Sequence, residues 1–297
     1  MTSTNTSSNF LLAGLFVSLI FFIIPSVSFH IQIISLAIAV SVLGLPHGAI
    51  DVYIAHQNKL WISPGGLAVF TIVYLLITLL VVGVWFALPV LSLILFLIIS
   101  AWHFGSDANA QNSTERWLFG TLVFCLPAFF HPIDVAELYE TLSGPVTRHI
   151  ILFTRVWAPF ATISVIFVIC SRLSKRPQRI KDIATVLGLI TFAWLLPPLV
   201  YFAIYFCALH SPTHFRNVIK LVPETDRPRA IMQTVVFTLL TLIIAGLAFI
   251  PLSVELTLEQ SGVQIVFIGL AALTVPHMIL IDGVCRSRLR EKSSLTT

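Results

Sequence analysis

Long apolar runs alternate with short polar interruptions from the tenth residue almost to the end of the chain. Runs of about 17 to 25 residues cross a bilayer as helices, and the pattern predicts ten: 10–28, 31–55, 67–87, 89–105, 117–131, 151–171, 183–197, 199–217, 231–250 and 263–284. The runs at 117–131 and 183–197 are short for a full span. Pro197-Pro198 predicts a tight turn between two of the helices, because proline lacks the N–H a helix interior needs and restricts the residue before it. No soluble domain, long linker or internal repeat breaks the pattern. The predicted fold is an all-α integral membrane bundle of about ten transmembrane helices over residues 10–284, with a polar tail at 1–9 and a basic tail at 285–297.

Composition agrees: 57% of residues are hydrophobic, 10% are charged, and the mean hydropathy is +0.97. A soluble domain carries about 25% charged residues. The tract Met1–Asn9 contains no Lys or Arg, so it lacks the charged start of a secretory signal, and the first helix is expected to stay in the mature protein. Cys125, Cys170, Cys207 and Cys285 are widely separated, with no C-x-x-C spacing, which argues against a disulfide framework and a thiolate zinc site.

Charge then sets the orientation. With both termini cytoplasmic, the inner loops collect Lys59, Arg116, Arg172, Lys175, Arg176, Arg179, Lys181, Arg216, Lys220, Arg227, Arg229, Arg286, Arg288, Arg290 and Lys292, which is 15 of the 17 basic residues; Arg148 and Arg155 fall outside. This is the asymmetry of the positive-inside rule. The outer loops hold Asp134, Glu137, Glu140, Glu255 and Glu259. The basic balance is therefore a topology signal, not a nucleic-acid footprint, and the expected location is the cell (inner) membrane as a multi-pass protein.

Five of the nine histidines lie in apolar helical runs: His47, His103, His210, His214 and His277. A polar group at bilayer depth is expensive and normally faces the bundle interior with a partner. They occur in four short motifs, GLPHGAID at 44–51, SAWHFGSD at 100–107, HSPTH at 210–214 and VPHMILID at 275–282, each predicted in the cytoplasmic half of helices that run the same way. His210 and His214 are one turn apart and share a face, a spacing that lets both bind one ion. His47 and His103 supply further nitrogens from facing helices, as bundles build metal sites in their cores. Pro212 predicts a kink that adjusts the aim of the pair.

Asp51, Asp107 and Asp282 each follow a histidine at short range. They suit the task of accepting the second ring N–H of a ligating imidazole, on their own histidine or a neighbour's, and equally suit direct ligation or an interfacial place in water. Gly44, Gly48 and Gly105 read as small residues for close helix packing. A single membrane histidine is more often just an interhelical hydrogen-bonding group. Shared depth, the paired spacing and the aspartates favour a metal for the set. His30, His56, His131 and His149 lie at span ends or in loops and are assigned no chemistry.

Neutral imidazoles accept Fe(II), Zn(II), Cu or Ni, and affinity order does not choose among them. Octahedral iron held by four would keep two open positions, whereas zinc tends to close as a tetrahedron or keep one water. Burial in lipid points to an apolar substrate and to oxygen. The 23 Phe residues and Trp61, Trp85, Trp102, Trp117, Trp157 and Trp194 are candidates to line an apolar tunnel.

The ordered strings GLPHGAIDVYIAH, SAWHFGSDA, CALHSPTHF and VPHMILID resemble the Brp/Blh family of integral-membrane β-carotene 15,15′-dioxygenases. The resemblance covers the chain from the second helix to the last. It implies cleavage of the central double bond of all-trans-β-carotene by dioxygen at a non-haem Fe(II) site, giving two all-trans-retinal, with the polyene in an apolar tunnel entered from the bilayer. Matched motif by motif, it places the iron ligands on His47, His103, His210 and His214, with His277 as a further polar group near the iron. It also implies delivery of retinal to a rhodopsin-type protein.

Three other classes compete. A desaturase or hydroxylase with two irons needs about twice as many histidines, in several boxes, and the chain has one His-x-x-x-His. A bis-histidine haem electron carrier would show a strong Soret band. A transporter would use the histidines for protons or metal in transit, but no inverted repeat supports it.

Overall fold

A computed structural model describes residues 4–108, 110–145, 148–171 and 180–285. Arg172, Lys175, Arg176 and Arg179, the basic tail from Arg286 through Arg288, Arg290 and Lys292, and the first three residues of the polar tract lie outside the described residues.

Each predicted run is helical over most of its length, the first ending at Ile23 instead of residue 28. The helices are α1 Thr4–Ile23, α2 Phe29–Gln57, α3 Pro64–Ala87, α4 Pro89–Phe104, α5 Ser113–Phe130, α6 Pro132–Ser143, α7 Arg148–Ser171, α8 Ile180–Leu195, α9 spanning 198–221, α10 Arg227–Glu255 and α11 Leu258–Met278. Helix α1 starts at Thr4, inside the polar tract, and α5 starts at Ser113, where Asn112 caps it by accepting from the Glu115 N–H. The Pro197-Pro198 turn is present, with Pro198 opening α9.

Among the described residues, seven helices are long and apolar enough to cross a membrane, or eight if α5 and α6, bent by 114°, count as one span. The expectation of ten also counted α8, which covers only 16 described residues, and α9, whose last stretch SPTHFRNVIKL is polar. The polytopic all-α class stands. Its outer surface is what lipid requires: Phe22, Leu79, Leu80, Phe153, Ile163, Phe167, Ile243 and Leu247 project outward, more than half exposed. The centre packs Phe10, Trp85, Leu93, Leu122, Leu189, Leu199, Tyr201 and Tyr205 fully buried.

Among the described residues, three helices carry a widened, π-type turn: Val40–Gly44 in α2, Tyr205–His210 in α9 and Ile279–Cys285 extending α11. In each case a proline is close, Pro46, Pro212 and Pro276. A proline removes one helical N–H and crowds the carbonyl four residues back. Leu45 N–H accordingly reaches Val40 O, and Ser211 N–H reaches Phe206 O, each five residues back. The kink expected at Pro212 thus takes the form of a wide turn holding His210, a type of turn frequent at functional sites.

Helix α4 approaches α5 closely enough that side chains are excluded at two points. A Cβ on Gly120 would stand 1.7 Å from Ala101 O, and one on Gly105 would stand 2.0 Å from Arg116 O. Arg116 is correspondingly not a loop residue. It is buried, donates from Nε to Trp102 O at 2.7 Å and from Nη2 to Asp282 at 3.3 Å, and stacks over the Trp102 ring at 4.0 Å. This ties α4, α5 and the end of α11 together beside the histidines.

Candidate metal centre

The five intramembrane histidines converge. Ring centroids lie 4.7 Å apart for His103 with His210 and for His210 with His214, 5.2 Å for His103 with His214, and 5.3 Å for His103 with His277. His47 lies 5.4 Å from His210, 6.2 Å from His214 and 5.6 Å from His277. Two triplets bring their nitrogens within 4.8 Å of one another, His103 with His210 and His214, and His47 with His103 and His277. The helical turn between His210 and His214 does put both rings on one face. His30, His56 and His131 lie elsewhere: His30 pairs with Glu259 at 3.1 Å and His131 with Asp134 at 3.7 Å.

The outer ring nitrogens are held individually. His47 Nδ1–H donates to Gly44 O, a carbonyl at the end of the first wide turn. His210 Nδ1–H donates to Asp107 at 2.9 Å, and the same carboxylate oxygen accepts from Tyr205 OH at 2.6 Å. His277 Nδ1 lies 2.9 Å from both oxygens of Asp51, which also accepts from Tyr74 OH at 3.1 Å. His214 turns Nε2 toward Ser106 Oγ at 3.3 Å and Asp107 at 3.4 Å. Asp51 and Asp107 therefore serve histidines of other helices, not the ones they follow in sequence. Asp282 meets Trp102 Nε1 at 3.2 Å and Arg116 Nη2 at 3.3 Å.

The arrangement fits a transition metal by its own chemistry. His103 Nε2 and His210 Nε2 face each other at 3.1 Å, and two such nitrogens hold at most one proton between them. His277 Nε2 is buried without a hydrogen-bond partner, which costs about 1–3 kcal/mol unless something coordinates it. Imidazoles gathered in this way, with carboxylates and a carbonyl on their outer nitrogens, are a donor set that could hold a transition-metal ion.

A cavity adjoins this cluster, with about 1030 Å³ of empty space counted together with its open mouth. His47, His103 and His277 form part of its wall, and the rest is largely apolar, including Phe70, Phe96, Phe104, Phe202, Phe206 and Phe237. The aromatic lining expected from composition is phenylalanine with Tyr74; none of the six tryptophans takes part. Gly48 lines the cavity and meets nothing within 4 Å of where a Cβ would be, so it keeps space open rather than packing helices. Gly44 is a packing glycine: a Cβ there would stand 2.7 Å from the Phe206 ring.

Sequence reasoning missed Tyr74, Tyr205 and Ser106. Tyr74 had a signal: Thr71, Tyr74 and Thr78 form a polar stripe at helical spacing on the otherwise apolar α3, and that stripe faces inward.

Comparison with known proteins covers the stretch that holds all four motifs. The family described as Beta-carotene 15,15'-dioxygenase matches residues 38–284. A protein named Beta-carotene 15,15'-dioxygenase from an uncultured marine bacterium, 66A03, is 34% identical over 265 residues, covering 84% of this chain and 94% of its own. One named Probable beta-carotene 15,15'-dioxygenase Blh from Halobacterium salinarum is 24% identical over 284 residues, covering 82% of each chain. No solved structure matches the chain.

Proposed function

We propose, since this chain belongs to the β-carotene 15,15′-dioxygenase family, that it cleaves the central double bond of all-trans-β-carotene with dioxygen at a non-haem Fe(II) centre and releases two all-trans-retinal. The reading is carried by one juxtaposition: His47, His103 and His277 form part of the wall of an apolar cavity, and His103 also clusters with His210 and His214.

His47, His103, His210 and His214 are the residues that would hold the iron. Iron bound there supplies the activation of dioxygen, a task closed to redox-inert zinc. In the net reaction one C=C becomes two C=O, with both oxygen atoms from one O₂, so no external reductant is consumed. The side chains supply placement. A polyene offers many similar double bonds, and the chain selects one by holding the substrate at a fixed depth against the histidines. The phenyl rings bind the flat hydrocarbon by contact area and leave water few partners in the cavity. Asp107 and Tyr205 hold His210, and Gly44 O holds His47, so the nitrogens facing inward keep their lone pairs free. The exposed apolar surface fits a bilayer, in this reading the cell membrane, from which the carotenoid enters and in which retinal passes to a rhodopsin-type acceptor.

The test uses purified protein stripped of metal with a chelator, then given β-carotene and oxygen. Fe(II) should restore retinal formation and Zn(II) should not. Equal activity with Zn(II), or intact carotene in iron-loaded protein, would overturn the reading.

A further inference from the structure

His277 lies outside the four-imidazole set, yet it is held as carefully as any member of it. Its Nδ1–H is donated to Asp51, which is fully buried and fixed in turn by Tyr74 from α3. That leaves Nε2 as a lone pair, buried and without a hydrogen-bond partner. A histidine serving only to join two helices would spend this nitrogen on a neighbour, because buried polar atoms are rarely left unpaired. Instead the nitrogen set of His47, His103 and His277 lies within 4.8 Å of one another at the cavity wall.

We propose that His277 is a fifth metal ligand, on the cavity side of the centre, with Asp51 and Tyr74 as its positioning residues. The inference rests on the metal reading above. His47 and His103 each lie against the rings of His210, His214 and His277, so all five rings surround common neighbours. The carboxylate on Nδ1 is the support that metal-bound imidazoles usually have. A proton-transfer role for His277 finds no partner in a hydrocarbon, which has no acidic or basic group. A hydrocarbon also brings no donor atom, so five imidazoles still leave a six-coordinate metal a position for a small ligand.

Cobalt(II), whose visible spectrum reports its ligand set, separates the possibilities in the full-length, metal-stripped protein in detergent. The expected result for His277→Ala is Co(II) binding weakened by at least 10-fold with an altered visible spectrum, and return toward the wild-type spectrum on adding free imidazole. Asp51→Asn should weaken binding about 10- to 100-fold. Wild-type Co(II) affinity and spectrum in His277→Ala, with binding lost in His103→Ala, would overturn the fifth-ligand proposal and leave the metal centre standing. Unchanged binding in both variants would remove the metal centre itself. If His277→Ala does not fold, judged by gel filtration, His277→Gln and Asp51→Asn decide the question through the same spectrum.

Discussion

Replacing Asp107 isolates the contribution of one carboxylate to the centre. Asp107 is almost fully buried, and its Oδ2 accepts from Tyr205 OH at 2.6 Å and from His210 Nδ1–H at 2.9 Å, while Oδ1 lies 3.4 Å from His214. Asp107→Ala leaves two buried donors unsatisfied, at about 1–3 kcal/mol each, so the metal-free protein should lose about 2–6 kcal/mol. His210 also loses the partner that fixes its tautomer, which should weaken metal binding about 10- to 100-fold. Asp107→Asn keeps the shape and an acceptor oxygen; it should unfold closer to wild type while still binding metal more weakly than the parent. Tyr205→Phe removes one donor without orphaning His210 and should spare metal affinity most. The assay is thermal unfolding of metal-free protein in detergent, beside Fe(II) or Co(II) titration of the folded variants. Wild-type metal affinity in Asp107→Ala would refute the claim that this carboxylate holds a ligand.

Single alanine replacements at His47, His103, His210 or His214 should abolish cleavage while the protein still inserts in membranes, and wild-type turnover in any of them would remove that residue from the ligand set. Gly120→Ala forces a Cβ to within 1.7 Å of Ala101 O; it should cost at least about 1–3 kcal/mol, read as a lower thermal midpoint, and an unchanged midpoint would contradict the close packing of α4 on α5. Gly48→Leu meets no atom at its Cβ and stands in the cavity wall. It should therefore fold and bind metal normally but lower carotene cleavage by about 100-fold through misplacement of the polyene, and normal kcat/KM would take this cavity out of the reaction.

The parts of the site that could be read in sequence are those where a polar group is costly. His47, His103, His210, His214 and His277 stand out because an imidazole has little reason to lie in an apolar run, and the structure brings all five together. Helix positions were legible for the same reason, since apolar run length dictates them. What the sequence hid was pairing across helices. Nothing in the spacing of Asp51 after His47 says that it will hold His277, more than two hundred residues away. Arg116 looked like an inner-loop charge because it borders polar residues, whereas it is folded back onto Trp102 and Asp282. The wide turns were invisible as well: a proline marks where a helix must adjust, but whether it kinks, ends or widens depends on the neighbours it packs against. Ten spans were expected, and among the described residues seven or eight helices pass as spans; α8 has 16 described residues, and α9 ends in the polar stretch 211–221.

The central claim, that the imidazole cluster acts at one fixed point along a polyene held in the adjoining cavity, is tested most directly by the products. Purified, iron-loaded protein is incubated with β-carotene and oxygen, and every apocarotenal is separated by chromatography and counted against carotene consumed. The account predicts all-trans-retinal alone, two molecules for each carotene lost. Longer apocarotenals, or a ratio well below two with other fragments present, would contradict it, because the substrate would then be sliding past the site instead of being held at its centre.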